Sequence, residues 1–533
     1  MRGTFLRKKR ACHCSPCLRP TRRDRVPGFL WSTLELMIRD RSDGYAWPKL
    51  GIAAAAMLVA ALLLVACGGP PQVRNVVLIC IDTVRYDAFW LPELSGEPDD
   101  FTKWTHKAVV YTHALSAAPW TVPSVATVFT GYYPSQHGAG LFDDPIADLS
   151  DALPSRIFED LPTVTELINE ADIRTMGYSS HPWFNSGYGL KRGFRQLYLY
   201  QGAPRLLKEA EVWLNERDLE QRFFLYLHFM EAHERSVDPV ELEKQLASVA
   251  PSRVEQIEES APAGICDDRA DGMCDRWLAY NLDILELRGR LATFLGDLER
   301  RGLLTDTAVI LYSDHGEEFY DHLAESEKLS ADPRGIYGFG HGHSLYQELL
   351  HVPLLVWLPK NRGGVVDTPV NLVDISPAVL SWFELSGHEK MAGEPLPTRV
   401  RRGGLSKAAL REPWPESGRV LFASGIAYGP EQFAVLRGPR KYVWHERSRT
   451  GELFDLSQDS AESAAFEDET ATERLDTELD RYLGWYSERQ FETPSLSDEQ
   501  LETLKGIGYL QGVGDNGEND ENQENDRQSL DDE

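Results

Sequence analysis

Carboxylate and imidazole side chains follow apolar runs at several points of this 533-residue chain. The side chains that follow such runs are Asp82, His233, Asp314 and His315. Two more imidazoles, His341 and His343, lie in the short segment GFGHGHSLY. Mixed carboxylate and imidazole ligands suit Zn²⁺, Mn²⁺, Mg²⁺ or Ca²⁺, and the share of oxygen decides among them. The sequence therefore predicts a divalent metal site. The positions of the cysteines predict that no thiolate is among its ligands.

A threonine, Thr121, stands where the small-residue stretch SAAPW runs into the helical sequence TVPSVATVFT. Threonine is a favourable N-cap, so its hydroxyl could close the first turn of that helix. The same hydroxyl could attack a substrate, because coordination to a divalent metal lowers the pKa of an otherwise weak nucleophile. Backbone N–H groups and the positive end of the helix dipole also favour an incoming anion. The two roles are compatible.

Long apolar runs alternate with helical periodicity from residue 72 to about residue 390. NVVLICI, FFLYLHF, TAVILY and PLLVWL have the length and composition of strands buried on both faces of a parallel sheet. Helical patterns separate them, for example Thr163 to Glu170 and Leu278 to Arg301. This order predicts a doubly wound α/β domain over residues 72–390, with a mostly parallel central sheet flanked by helices. Ligands bind beyond the carboxyl ends of such strands, so the polar side chains should converge there.

The sequence pattern changes after about residue 390. RVLFASGIAY, QFAVLRGPRKYVWHE and GELFDLSQD predict antiparallel strands, and SDEQLETLKGIGYL predicts an amphipathic helix. Residues 391–512 are therefore expected to form a smaller antiparallel α+β subdomain, and the acidic residues 513–533 a disordered tail. The formal net charge of -28 argues against a nucleic-acid partner.

The first 67 residues combine a basic segment with the apolar run GIAAAAMLVAALLLVA, which Cys67 follows. The run is short for a membrane span and has the flanks of a secretory signal. The sequence LVAC resembles the lipobox of bacterial lipoprotein precursors, whose cysteine is lipidated and becomes the mature N-terminus; an uncleaved anchor helix is the alternative. We expect an exported, membrane-anchored lipoprotein of a bacterial envelope, in the periplasm or at the outer membrane. In that oxidising compartment Cys266 and Cys274 could close a disulfide loop.

Taken together, the motifs resemble those of the sulfatase family, within the wider alkaline phosphatase superfamily, from Asn75 to about Gly512. NVVLICIDTVRYD is similar to the family's first metal-binding strand, and YSDHGEE to its second metal-binding segment. TVPSVATVFTGYYPSQHG is similar to the signature around the nucleophile, with Thr121 in the nucleophile position. GHGHSLYQELLHVPLLVWLP, VNLVDISPAVL, GELFDLSQDSAE and LKGIGYL resemble the segments that follow. The resemblance implies the alkaline phosphatase/sulfatase-like fold.

The resemblance also implies roles for the polar residues. The ligands of a divalent metal ion would be Asp82, Thr121, Asp314 and His315. His233 would contact the anion or a second metal ion. His341 would lie near the transferred group and protonate the leaving oxygen, with His343 as the competing choice.

The nucleophile position departs from the sulfatase pattern. Sulfatases proper carry a Cys or Ser there, which is oxidised to formylglycine, whereas Thr is not a known precursor and the expected Arg is Val125. Phosphoryl-transferring members of the superfamily use an unmodified Thr. We therefore expect a metal-dependent hydrolase or transferase that acts on phosphate esters or diesters of a glycan, a lipid headgroup or a small molecule. Two alternatives stay open: a sulfuric ester hydrolase, and an inactive module that binds anionic glycans.

Overall fold

A computed structural model describes residues 73–144, 147–150, 152–185, 187–233, 237–267, 272–324, 337–360, 363–401, 404–486, 491–506 and 509–510. The predicted signal segment 1–67, with Cys67, and the predicted acidic tail 513–533 lie outside these ranges. Within them, no helix is both long enough and apolar enough to cross a bilayer.

The strands in chain order are β1 (Asn75–Ile81), β2 (Val109–Tyr111), β3 (Ala114–Leu115), β4 (Arg174–Ser179), β5 (Gln196–Leu199), β6 (Phe223–Phe229), β7 (Thr307–Tyr312), β8 (Glu318–Phe319), β9 (Phe339–Gly340), β10 (Leu354–Trp357), β11 (Gly364–Val366), β12 (Val370–Asn371), β13 (Val420–Ser424), β14 (Gln432–Arg437), β15 (Arg440–His445) and β16 (Thr450–Asp455).

The α-helices are α1 (Tyr86–Phe89), α2 (Leu91–Ser95), α3 (Thr102–Thr105), α4 (Thr121–Thr130), α5 (Pro134–His137), α6 (Val164–Glu170), α7 (Ala203–Glu216), α8 (Pro239–Ser248), α9 (Pro251–Glu259), α10 (Met273–Arg300), α11 (Gln347–Leu350), α12 (Ile375–Trp382), α13 (Lys407–Leu410), α14 (Glu469–Tyr486) and α15 (Asp498–Gly506).

In the described part of the chain, the central sheet has eight strands in the order β11-β2-β10-β7-β1-β6-β4-β5. The strands from β7 to β5 are parallel to one another, and β2 is parallel to β11. β10 runs antiparallel to both of its neighbours, β7 and β2. The predicted mostly parallel α/β sheet is therefore confirmed. The reversed strand was not predicted, because an apolar run buried on both faces carries no sign of its direction.

The two faces of this sheet pack against different hydrophobic clusters. Side chains of β1 alternate between them, with Ile79 in the cluster that includes much of α10 and Leu78 in the cluster that includes α4. Helices therefore cover both faces, as a doubly wound sheet requires. Because β1 is buried along its whole length, the residue that follows it is held firmly at the carboxyl edge of the sheet.

The C-terminal part contains a second sheet, in which β13, β14, β15 and β16 are paired antiparallel in that order. This sheet and α15 agree with the antiparallel α+β pattern predicted from sequence, whereas the 18-residue helix α14 was not predicted. The domain boundaries near residues 390 and 512 stay a prediction. Cys266 and Cys274 form the expected disulfide, with their Cα atoms 4.8 Å apart.

Candidate active site

Four adjacent parallel strands, β7, β1, β6 and β4, carry polar residues close to or just beyond their carboxyl ends. In chain order these residues are Asp82, His181, His228, His233, Asp314 and His315. All of these side chains are buried, and parallel strands place them at one edge of the sheet. The convergence expected from the sequence is therefore present.

Asp82, Asp314 and His315 form a group that fits a divalent cation. One ligand atom from each lies within 4.8 Å of the others. Oδ1 of Asp82 and Oδ2 of Asp314 are buried without a hydrogen-bond partner, and such oxygens are ordinarily satisfied by a donor or a cation. Nδ1–H of His315 donates to the carbonyl of Gly316 (2.9 Å), so Nε2 carries the lone pair. Nε2 lies 3.6 Å from Oδ1 of Asp82 and 3.6 Å from Oδ2 of Asp314. The residues present therefore suit the metal that the resemblance implies.

Burial dominates the electrostatics of the two carboxyl groups. It raises the pKa of Asp82 from 3.8 to about 7, an increase that the nearby His315 partly offsets. Burial, followed by the charge of Asp82, raises the pKa of Asp314 from 3.8 to about 6. Two carboxylates this close repel each other in a site that excludes water, and a shared cation removes that repulsion.

Thr121, the first residue of α4, lies beside this group. The chain is extended at Trp120 (φ -157°) and helical from Thr121 to Thr130, and Gly131 ends the helix in the left-handed conformation (φ 71°). Oγ1 of Thr121 is 3.4 Å from Nε2 of His315 and 3.3 Å from Nε2 of His181. The expected capping role is wrong, since Trp120 is the N-cap residue and no side chain caps the helix. The Thr121 hydroxyl faces the polar cluster instead.

His181 follows β4 and was not assigned to the site from sequence. The backbone N–H of Trp183 donates to its Nδ1 (3.2 Å), so the proton of the neutral ring is on Nε2, facing Thr121. Nε2 is also 3.6 Å from Oδ2 of Asp82. Burial lowers the pKa of His181 well below its usual range, which keeps the ring neutral. The sequence feature that could have identified His181 is its position directly after the run RTMGYSS.

His228, near the end of β6, orients the carboxylate of Asp82. Its Nε2 lies 2.8 Å from Oδ2 of Asp82, and its Nδ1 lies 2.8 Å from the hydroxyl of Tyr226. Burial lowers the pKa of His228 to about 4, so the neutral ring donates Nε2–H to Asp82 and accepts from Tyr226. This histidine was not assigned to the site from sequence, and the structure gives it a positioning role.

His233 and His341 meet at Tyr509, a residue of the C-terminal segment. The Tyr509 hydroxyl oxygen is 3.1 Å from Nε2 of His233, 3.0 Å from Nε2 of His341 and 3.2 Å from Oγ1 of Thr121. Glu317 accepts from Nδ1–H of His341 (3.0 Å), which directs the other ring nitrogen to this meeting point. The structure thus brings His233 and His341 together with Thr121 and adds a tyrosine that was not predicted.

His343 has a different polar partner from His341. Its Nε2 lies 2.5 Å from Oε2 of Glu318, while its backbone carbonyl accepts from the side chain of Gln432 (3.1 Å). The assignment of His343 to the site stays a prediction.

A thiol lies closer to the carboxylates than expected. Ligand atoms of Cys80, His228 and Asp314 lie within 4.8 Å of one another. The expectation that position excludes a cysteine ligand is therefore wrong, because Cys80 is the penultimate residue of β1 and faces this end of the site. Burial, with the charges of the two carboxylates, raises the pKa of Cys80 well above its usual range. The sulfur is held as a thiol, which is a poorer ligand than a thiolate.

The chain is similar to known proteins in sequence and in fold. The sequence profile of the family described as Sulfatase matches residues 74–385. The low-salt glycan biosynthesis sulfotransferase of Haloferax volcanii is 25% identical over 329 residues, which cover 59% of this chain and 62% of that protein. The ulvan-active sulfatase of Formosa agariphila is 24% identical over 328 residues, which cover 55% of this chain and 49% of that protein. The chain therefore matches less than two thirds of the length of either relative.

Solved structures with the same fold include proteins with different chemistry in their names. The phosphonate monoester hydrolase of Agrobacterium radiobacter has a TM-score of 0.52 and 16% identity, covering 80% of this chain and 98% of its own. A protein in complex with its substrate D-glucosamine-2-N,6-O-disulfate has a TM-score of 0.56 and 14% identity, covering 78% and 98%. At these identities the likeness establishes the fold alone.

Proposed function

Because the chain belongs to the sulfatase family, we propose that it is a metal-dependent hydrolase or transferase in which unmodified Thr121 attacks phosphate esters or diesters. The position of Thr121 carries this proposal: its Oγ1 is 3.4 Å from the His315 nitrogen that faces both carboxylates. The residue that sulfatases proper oxidise to formylglycine is a Cys or Ser, and neither stands here. A hydroxyl nucleophile next to a metal-binding group favours phosphoryl transfer.

The chain supplies several groups that activate Thr121. When bound, a divalent cation held by Asp82, Asp314 and His315 would lower the pKa of the hydroxyl and offset charge on the transferred group. Nε2–H of His181 donates to Oγ1 and stabilises the alkoxide that remains once the hydroxyl proton has passed to water. The start of α4 adds backbone N–H groups, which favour an anion at the same place.

Transfer occurs in two steps. Oγ1 of Thr121 bonds to phosphorus while the bond from phosphorus to the leaving oxygen breaks, which gives a phosphothreonine. His341, protonated on both ring nitrogens and held through Nδ1–H by Glu317, gives the leaving oxygen the proton from Nε2, and His233 contacts the anion. Water or a second alcohol then displaces Oγ1 from phosphorus and gives its proton to Nε2 of His341, while Oγ1 of Thr121 regains a proton from water. The overall reaction is hydrolysis with water and transfer with an alcohol.

A sulfuric ester hydrolase is the second candidate. The names of the relatives favour it, because they include a sulfatase and a sulfotransferase. It would require Thr121 to attack sulfur without the aldehyde hydrate that sulfatases proper use. In both cases the substrate is an anionic ester, carried by a glycan, a lipid headgroup or a small molecule.

We also propose that the protein is exported and tethered to a membrane of a bacterial envelope through lipidated Cys67. The LVAC sequence supports this, and so does the Cys266–Cys274 disulfide, since disulfides persist mainly outside the cytoplasm. The mass of the N-terminal peptide of the mature protein tests it: a peptide that does not begin at a lipidated Cys67 contradicts the proposal.

The central experiment measures turnover of aryl phosphate, aryl phosphodiester and aryl sulfate by the full chain, with Mn²⁺, Zn²⁺, Mg²⁺ or Ca²⁺ added in turn. We expect phosphoester turnover that requires metal and falls by at least about 10³-fold in Thr121→Ala, because the nucleophile is removed. Thr127→Ala is the matched control. Thr127 is a buried threonine of the same helix whose hydroxyl pairs with His137 (3.0 Å) and not with the site.

The three substrates separate the candidates. Sulfate turnover as the main activity would replace the phosphoester proposal with the sulfuric ester hydrolase. Phosphoester turnover that survives in Thr121→Ala would remove Thr121 from the nucleophile role. Metal-dependent binding of a sulfated glycan without turnover of any ester would leave an anionic-glycan-binding module.

A further inference from the structure

The hydroxyl of Tyr509 is in contact with three of the groups proposed to act on the substrate. These are Oγ1 of Thr121 at 3.2 Å, Nε2 of His233 at 3.1 Å and Nε2 of His341 at 3.0 Å. Tyr509 belongs to the LKGIGYL segment, 388 positions from Thr121 in the chain. Tyr509 is neither a ligand of the proposed metal ion nor the nucleophile, so it needs a role of its own.

The Tyr509 hydroxyl lies beside the position of the reacting atom. In a productive complex the atom under attack lies about 3–3.5 Å from the attacking oxygen. A tetrahedral group bound next to Thr121 therefore places its peripheral oxygens among the polar atoms around Oγ1, of which the Tyr509 hydroxyl is one. His233 and His341 point their Nε2 atoms at the same region.

Tyr509 and its described neighbours Leu504 and Leu510 are part of the hydrophobic core. Leu504 and Leu510 are 1% and 0% exposed, and the backbone carbonyl of Tyr509 accepts from the hydroxyl of Tyr428 (3.0 Å). Withdrawal of Tyr509 from the site would expose these large apolar side chains to water, which is strongly unfavourable. A permanent member of the site is therefore favoured over an occupant that leaves when substrate binds.

The surroundings of the ring also fix the direction of the hydroxyl. The Tyr509 ring centroid lies 5.3 Å from that of Trp183, 5.9 Å from that of His181 and 6.2 Å from that of Trp120. An apolar enclosure with one polar end is the usual setting of a buried tyrosine whose hydroxyl has a specific partner. The partners of the Tyr509 hydroxyl are the proposed reacting residues Thr121, His233 and His341.

We propose that Tyr509 is a catalytic residue, whose O–H donates a hydrogen bond to a non-bridging oxygen of the transferred phosphoryl or sulfuryl group. The proposal rests on the proposed function, in which Thr121 attacks that group. Charge spreads over the non-bridging oxygens during transfer, so a donor held in place stabilises the transition state. The C-terminal segment thereby completes a site whose other residues come from the central sheet and α4.

The test compares Tyr509→Phe with wild type in the full chain. We expect kcat/KM on the best ester to fall by about 10²-fold, the lower end of the range for loss of one donor to a developing oxyanion. Binding of inorganic phosphate, measured by isothermal titration calorimetry with and without Mn²⁺, should weaken by about 10-fold as well, because the donor also contacts a bound anion. The binding measurement does not depend on turnover.

Tyr482→Phe is the matched control. Tyr482 is a buried tyrosine of α14 whose hydroxyl lies 2.7 Å from Oγ of Ser424, in the C-terminal sheet. It should keep both kcat/KM and phosphate affinity within about 2-fold of wild type, since its hydroxyl pairs with Ser424 of the C-terminal sheet. A loss equal to that of Tyr509→Phe would assign the effect to general destabilisation and overturn the proposal.

The remaining outcomes separate this proposal from the proposed function. Unchanged kcat/KM and unchanged phosphate affinity in Tyr509→Phe overturn the role of Tyr509, even if Thr121→Ala is inactive. An increase in either quantity also overturns it and identifies the hydroxyl as an obstruction. Activity retained in Thr121→Ala, with weaker phosphate binding in Tyr509→Phe, refutes the nucleophile and leaves Tyr509 as an anion ligand.

Discussion

Asp82 and Asp314 hold protons at pH values where exposed aspartates have lost them. Their pKa values are about 7 and about 6 in the folded protein, against 3.8 for each in an exposed chain. Between pH 4 and pH 7 the folded form therefore binds more protons than the unfolded form, so this pair makes the metal-free protein less stable as the pH rises. A divalent cation competes with those protons, so its apparent affinity should rise over the same window.

We therefore predict that the increase in Tm produced by Zn²⁺ or Mn²⁺ is larger at pH 8 than at pH 5, as measured by thermal unfolding. Asp82→Asn should lose most of this increase at both pH values, because one of the two charged ligands is removed. Asp218→Asn, a change at an exposed aspartate outside the site, should behave like wild type. A metal-dependent increase in Tm that is the same at pH 5 and pH 8 would contradict the assignment of Asp82 and Asp314 as ligands.

A position just after a long apolar run identified some residues of the candidate site from sequence, but others were missed. Asp82 and Asp314 directly follow long apolar runs, and parallel strands bring such ends together whatever the rest of the fold does. His181 also follows a strand, but that run is more polar, so its histidine was not recognised. Tyr509 could not be predicted, since its contact with Thr121 depends on how the last segment packs and on no local pattern.

The loop after β7 is built around a close backbone approach at Gly316. A Cβ atom at this position would lie 1.8 Å from the carbonyl oxygen of Glu348, the second residue of α11. Real Cβ atoms do not come so near to backbone, so any side chain at Gly316 must move the loop. The carbonyl of Gly316 also accepts from Nδ1–H of His315, and a shifted loop would rotate that imidazole.

Gly316→Ala is therefore expected to weaken binding of the proposed metal ion by at least about 10-fold, the lower end of the range for a lost supporting contact. Gly289→Ala is the matched control, since Gly289 lies in α10 and a Cβ there meets nothing within 4 Å. It should leave metal affinity unchanged and stabilise the protein by about 0.5–1 kcal/mol, because alanine is the better helix former. Metal titrations followed by calorimetry and by urea unfolding measure both effects. Equal metal affinity in the two variants would refute the role given to this loop.

Strands and helices were predictable to different degrees. The runs that became β1, β6 and β7 are long, apolar and flanked by helical patterns, and the structure forms strands at all three. The direction of β10 was not predictable, because it depends on how the connection from α11 returns to the sheet. α14 was missed because few of the positions whose burial the structure describes in it are buried, which leaves a weak apolar stripe.

A buried ion pair links β15 to the segment after β16, and both of its members also contact the segment after β9. Nζ of Lys441, on β15, lies 2.7 Å from Oε1 of Glu462, and both side chains are 0% exposed. Lys441 also donates to the carbonyl of Leu345, and Oε2 of Glu462 accepts from the backbone N–H of Gln347. The pair thus connects the antiparallel sheet to the region that begins α11, against which the Gly316 loop packs.

We predict that Glu462→Gln lowers the free energy of unfolding by about 3 kcal/mol, because it leaves the Lys441 ammonium buried without its counter-charge. Urea unfolding measures the change. Lys441→Met combined with Glu462→Gln should cost less than Glu462→Gln alone, since no unpaired charge remains. Glu241→Gln, which breaks an exposed pair with Lys244, should change stability by less than about 0.5 kcal/mol. A loss of similar size in Glu462→Gln and Glu241→Gln would contradict the importance of the buried pair.

The contact between Thr121 and Tyr509 has a consequence for how the protein is made. During synthesis the N-terminal parts of a chain emerge from the ribosome first and begin to fold first. Asp82, Thr121 and Asp314 are therefore present well before Tyr509, which is 388 positions beyond Thr121. If the proposed role of Tyr509 is right, the site acquires full activity only after translation has passed that residue, so the nascent chain is less active than the finished protein.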